Sequence, residues 1–159
     1  MIFIENKNND SDRISKLKIQ RITTDKIELE NVLKSFDIDE ESGAIVSFSG
    51  SVRNFSANGS VKGIYYEAYL GMAEEKIKDI ENTVKNKWKI RKLKIIHRIG
   101  ELSIGDKSIV IVVSSSHSKD AFEACQFILN RIKHEVPIWK REILSDGKTK
   151  WLEGNSIYN

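Results

Sequence analysis

The residues best able to do chemistry in this chain are basic or titratable and stand at the ends of predicted elements: Arg53, His117, Lys133 and the Lys140-Arg141 pair. Arginine presents a rigid fork of donors that matches phosphate or carboxylate, and lysine supplies a point charge that can also exchange a proton. Brought together, these side chains would make a pocket for a small anion, most naturally a phosphorylated one. Left apart, they are solvated surface charges, and Lys133 alone would only offset a helix dipole from the last turn. The phrase Val136-Pro137-Ile138-Trp139-Lys140-Arg141-Glu142 is more specific. The only proline in the chain and a tryptophan stiffen the backbone beside the Lys-Arg pair, and anion binding needs rigid positioning.

These residues require elements to hold them. Ala121, Cys125, Ile128 and Ile132 recur at helical spacing with Phe122 and Leu129 alongside, which predicts an amphipathic helix after a polar turn at His117. Ser116 or Ser118 can cap it, Asp120 suits its first turn, and Lys133 falls in its last. His117 therefore belongs to the end opposite Lys133. Before this helix, residues 107–116 form the most apolar run, predicted as a central strand covered on both faces. Upstream, 16–22 reads as a first strand, and Thr24 or Asp25 can cap a short helix holding Ile27, Leu29, Val32, Leu33 and Phe36. Strands at 43–52 and 61–69 are expected to form a hairpin through the polar loop 53–59, with Asn58-Gly59 as a turn signal. A second helix follows over 71–88, with Met72, Ile77, Ile80, Val84 and Trp88 near one face, then a strand over 90–99 and a turn at 104–106. Two short strands, 138–144 and 148–152, flank a tight turn at Ser145-Asp146-Gly147. Strands succeeding one another between helices predict an α+β domain with a mostly antiparallel or mixed sheet. The expected organisation is a flexible N-terminal segment, 1–15, and a single domain over 16–159.

Composition bounds the function. The chain has 159 residues, 40% hydrophobic and 31% charged, with a net charge of +3, too small by itself to imply nucleic acid. Cys125, the only cysteine, lies on the apolar helix face, predicting a buried small hydrophobe and a reducing, cytoplasmic compartment. No apolar run approaches the ~20 residues of a membrane span. His97, His117 and His134 have no metal-ligand spacing, and there is no dinucleotide or P-loop glycine motif, so neither metal nor cofactor is expected.

Several ordered motifs then carry a resemblance. They include Gly43-Ala44-Ile45-Val46, Gly50-Ser51-Val52-Arg53-Asn54, Tyr66-Glu67-Ala68-Tyr69, Met72-Ala73-Glu74 and His97-Arg98-Ile99-Gly100. They continue through Ser116-His117 and Phe122-Glu123-Ala124 to the 136–142 phrase. With these motifs the chain resembles the large, catalytic subunit of molybdopterin synthase from about residue 43 to about 155. The resemblance implies an α/β-hammerhead fold and a homodimer of large subunits within a heterotetramer. Each large subunit would bind a small ubiquitin-like sulfur carrier whose C-terminal Gly-Gly, as a thiocarboxylate, enters its pocket. The implied substrate is cyclic pyranopterin monophosphate, which receives two sulfurs to form the molybdopterin dithiolene. The implied substrate-binding positions are Ser51, Val52, Arg53, His117, Ser118, Lys133, Lys140, Arg141 and Glu142, with Lys133 the principal catalytic lysine and Lys140 supporting it. The family usually has His-Arg where this chain has His117-Ser118, so a guanidinium is missing there. Lys119 can replace its charge but not its bidentate fork.

The chemistry agrees with these residue types. A thiocarboxylate is already a nucleophile, so no catalytic cysteine is needed, only cations and a proton donor or acceptor. Crowded amines resist full protonation, which would let Lys133 exchange a proton near neutral pH. Glu142 is expected to orient Lys140 or Arg141. Two other readings compete: a homologue kept as a structural partner without turnover, and a basic RNA-binding or adaptor module using Trp139 for stacking. The low aromatic content, 8%, and the helical setting of Trp88 favour the enzyme, with no nucleic acid or membrane partner.

Overall fold

The structure, a computed structural model, describes residues 21–153. The expected flexible segment 1–15 and most of the expected first strand lie outside the described residues. The end of that strand is β1 (Ile22–Thr23), which pairs in parallel with β5 (Ile90–Arg98), Ile22 opposite His97. The first sheet runs β1-β5-β7-β2, with β7 (Lys107–Ser115) antiparallel to both β5 and β2 (Ala44–Ser51). A second sheet is built on β4 (Gly59–Ala68). It pairs with β3 (Phe55–Ser56), β6 (Gly100–Ser103) and β8 (Ile138–Leu144), and β8 carries β9 (Thr149–Leu152). Three helices accompany the sheets among the described residues: α1 (Leu29–Lys34), α2 (Leu70–Lys87) and α3 (Ser118–Glu135). The chain is thus α+β with mixed pairing, as its pattern predicts.

Strand β7 explains the layering. Side chains alternate across a strand, so an unbroken apolar run needs cover on both faces. Ile109, Ile111 and Val113 join the core that α2 and α3 supply through Ile77, Ile80, Val84, Ala124 and Ile128. Val110 and Val112 face the other way, against Ile27, Val32 and Phe36 around α1. Burying each of these branched side chains stabilises the fold by about 1.5–3 kcal/mol.

The structure corrects several expectations. The strands expected to form a hairpin, 43–52 and 61–69, lie in different sheets: β2 pairs with β7, and β4 pairs with β8. The connection between them folds into its own ribbon, β3 against the start of β4. Residues 100–103 after the predicted strand form β6, held on β4. Helix α1 has Glu28 as its N-cap with no side-chain cap bond, so neither Thr24 nor Asp25 caps it; the Asp25 amide donates to the Thr23 hydroxyl at 3.0 Å in the turn before it. Leu33, Met72 and Phe122, placed on apolar helix faces by spacing, are exposed. Phe122 is 65% exposed, while Leu129, two turns further along the same flank, packs against the core. Among the described residues, no helix is long and apolar enough to cross a membrane.

Candidate functional site

Helix α3 and strand β8 meet at Pro137. The helix ends at Val136, whose extended backbone breaks the ladder, and Tyr69 N–H donates to the Pro137 carbonyl at 3.1 Å. This corner places Lys133, in the last helical turn, and Lys140, in the strand, on one cavity of about 440 Å³. The cavity lies where the two sheets meet. Phe48, Gly50, Ser51 and Arg53 line it from β2 and its end, Ile64 and Tyr66 from β4, and His97 and Ser108 from the first sheet. Ile138, Lys140 and Glu142 close it from β8.

Strand geometry sorts the predicted residues. On β8 successive side chains point to opposite faces. Lys140 and Glu142 line the cavity, whereas Arg141 projects from the other face, its guanidinium 5.2 Å from the rings of both Tyr65 and Trp151. These three residues are opposite one another in the β4-β8-β9 register, so Arg141 staples three strands and does not line the cavity. Ser51 lines the cavity, and its hydroxyl accepts Lys107 Nζ at 2.8 Å. Val52 is buried and ties the end of β2 to the turn at 105–106: its N–H donates to the Asp106 carbonyl and its carbonyl accepts from Gly105. Arg53 reaches the rim over the Phe55 ring, 5.5 Å from its centroid.

His117, Ser118 and Lys119 are elsewhere. They stand exposed at the N-terminus of the 18-residue α3, and about 21–24 Å of helix separates them from Lys133 near its other end. Neither Ser116 nor Ser118 caps the helix. His117 is the N-cap residue without a side-chain bond, and Ser115 Oγ donates to its carbonyl at 2.6 Å. Lys119 lies 3.9 Å from Glu123, one turn along the helix.

Electrostatics distinguish the amines. Burial holds the Lys140 ammonium below the usual lysine range, the Lys133 and Arg53 charges push it further down, and Glu142 opposes them. Proton exchange was expected of Lys133; the amine that shows the depression is Lys140. Glu142 contacts neither Lys140 nor Arg141 as an ion pair among the described residues. Its Oε2 instead accepts Ser56 Oγ at 2.9 Å and Asn58 Nδ2 at 2.8 Å. Cys125 is buried on α3, its thiol pushed up by desolvation, as a packing residue.

Sequence reasoning missed His97, Tyr66 and Ser108. The His97 ring is 6% exposed, meets Tyr66 edge to face at 5.1 Å and bonds through Nδ1 to the Arg98 carbonyl at 2.9 Å. Burial, with the Lys140 charge adding to it, lowers the His97 pKa to about 4, so the ring is neutral at pH 7. A donor bond from Nδ1 to a carbonyl leaves Nε2 as the acceptor. The available signal was parity: buried Ile95 and His97 alternate with half-buried Ile96 and Arg98 on a core strand.

A cavity at the seam of two sheets, lined by Arg53, Lys133 and Lys140, has the chemistry suited to a small anion and to proton exchange. The sequence model of the MoaE protein family matches residues 22–135, and the chain belongs to that family. It is 48% identical to a "Molybdopterin synthase catalytic subunit" of Thermoplasma volcanium over 111 residues, 70% of this chain and 81% of the relative. It is 42% identical to a protein of the same name from Staphylococcus aureus over 135 residues, 85% of this chain and 90% of the relative. The crystal structure of molybdopterin synthase from Staphylococcus aureus superposes with a TM-score of 0.78 at 40% identity, covering 86% of this chain and 98% of that one.

Proposed function

We propose that this chain is the catalytic large subunit of a molybdopterin synthase, a sulfurtransferase acting in molybdenum cofactor biosynthesis. It moves sulfur from the thiocarboxylated C-terminus of a small ubiquitin-like subunit to cyclic pyranopterin monophosphate, forming the dithiolene of molybdopterin. The observation that carries this reading is the meeting of Arg53, Lys133 and Lys140 on one cavity, in a chain whose relatives bear that enzyme's name.

The residues divide the work by their chemistry. Arg53 keeps its proton and holds the phosphate. Lys133, at the open end of α3, receives the thiocarboxylate and stabilises charge developing as sulfur adds to carbon. Lys140, half-buried with a lowered pKa, supplies and recovers protons at the substituted carbons. Sulfur arrives on the partner, so the chain needs no cofactor of its own. Two glycines suit the partner's tail because an extended segment without side chains can approach the cavity backbone closely.

His117, Ser118 and Lys119 enter the same reading through a second copy. The family pattern assigns His117 and Ser118 to the substrate, yet about 22–24 Å of helix parts them from Lys133 within one chain. A homodimer in which one copy lays its α3 N-terminus over the other's cavity satisfies both facts. Incubating the purified chain with thiocarboxylated small subunit and cyclic pyranopterin monophosphate tests the proposal. Dithiolene formation is expected; no dithiolene beside strong, salt-sensitive RNA binding would overturn it in favour of a nucleic-acid module.

A further inference from the structure

We infer that Glu142 is a positioning residue which holds the 53–59 ribbon in place as one wall of the cavity, and that it does not itself handle substrate or protons. The inference rests on the proposed function for what the cavity binds, but its structural half stands alone.

The Glu142 carboxylate is 4% exposed, within a strand that pairs it with Ile64 on one side and Lys150 on the other. One oxygen, Oε2, accepts both Ser56 Oγ and Asn58 Nδ2, at 2.9 and 2.8 Å. The two donors are themselves linked, because the Asn58 amide N–H donates to Ser56 Oγ at 3.0 Å. Lys150 Nζ completes the set by donating to Asn58 Oδ1 at 2.6 Å. Thus a buried charge on β8 gathers the turn of the ribbon, and β9 braces it from outside.

The ribbon needs this anchor. Its ladder consists of two pairs, Phe55 with Ser60 and Ser56 with Gly59, supplemented by Val61 N–H to the Asn54 carbonyl at 2.8 Å. A two-stranded ribbon of this length is not stable alone. Asn54, Phe55 and Ala57 are exposed, so little apolar burial holds it either. Charge-assisted bonds to a carboxylate are about twice as strong as neutral ones, and here they are shielded from water. The same ribbon presents Arg53 and Phe55 to the cavity. Loosening it would withdraw the guanidinium proposed to hold the phosphate.

The test compares three variants of the full chain: Glu142→Ala, Glu142→Gln and the double variant Ser56→Ala/Asn58→Ala, which leaves the carboxylate intact. Hydrogen exchange of residues 53–60 reports the ribbon directly, and steady-state sulfur transfer separates KM for cyclic pyranopterin monophosphate from kcat. Glu142→Ala and the double variant are expected to speed exchange of 53–60 and raise KM by about tenfold or more, with kcat within about threefold of the parent. Glu142→Gln keeps an acceptor oxygen but loses the charge, and is expected to fall between the parent and Glu142→Ala in exchange and KM, with kcat again within about threefold of the parent. Parental exchange and KM in the double variant, together with lost kcat in Glu142→Gln, would overturn the inference by showing that the carboxylate acts on the reaction itself. If the parent chain fails to transfer sulfur, the proposed function falls, while unchanged exchange in Glu142→Ala is what would sink the ribbon anchor.

Discussion

His97 and Lys140 both line the cavity, and their titrations are where individual residues can be checked. The folded pKa of His97, about 4, lies below the ~6.5 of an unfolded histidine. Above pH 6.5 neither state holds the proton, so His97 leaves stability unchanged with pH. Below it the unfolded chain takes up a proton that the folded chain refuses, and stability falls as pH drops from 6.5 toward 4, by on the order of 3 kcal/mol in full. Urea titrations across this range should show that slope in the parent and a flatter one in His97→Gln. Lys140 offers the complementary test. Part of its depression comes from Lys133, so Lys133→Ala should raise the Lys140 pKa, visible by NMR of labelled lysine side chains. Arg53→Ala should weaken substrate binding by about 1.5–3 kcal/mol in calorimetry and leave the fold intact, since its side chain is exposed at a rim.

At the scale of elements, periodic patterns were legible and partnerships were not. The buried stripe of α3, the doubly covered β7 and the β8–β9 hairpin follow from spacing, because alternation and 3.6-residue periodicity report burial directly. Which strand pairs with which is decided by contacts distant in sequence, so β2 and β4 read as one hairpin yet lie in separate sheets. Lys140 and Arg141 show how far strand parity could have gone. Alternation puts Arg141 on the face opposite Lys140 and Glu142, so a strand reading would have separated the pair, although it could not say which of the two faces the cavity. His97 and the Glu142 anchor were illegible for another reason: their roles depend on burial and on partners as remote as Ser56, 86 residues away. The seam between elements is also testable. A Cβ at Gly63 would meet the Leu102 carbonyl at 2.8 Å, where β4 crosses β6. Gly63→Ala should therefore destabilise the fold by about 1–3 kcal/mol, measured as a lower urea midpoint.

For the whole molecule, the proposed function is a property of an assembly. One chain supplies Arg53, Lys133 and Lys140 to its cavity, while its His117 and Ser118 lie a helix length away. The proposed second copy would bring those residues in, and in the proposed reaction the sulfur comes on a partner's tail. Adding one residue after the second glycine of that tail should abolish transfer and leave docking nearly intact, measured by calorimetry beside the transfer assay. The central claim is that Lys133 does chemistry and is more than a cation in a last helical turn. Single-turnover sulfur transfer from thiocarboxylated partner tests it most directly, with circular dichroism confirming that each variant is folded. Lys133→Ala and Lys133→Arg should both lose dithiolene formation by at least about a hundredfold while partner docking persists, because a guanidinium's planar fork and reach do not reproduce the lysine point charge, and Lys140→Ala, which removes the proposed proton donor, should also lose most turnover. Turnover near the parent rate in either Lys133 variant would contradict the account.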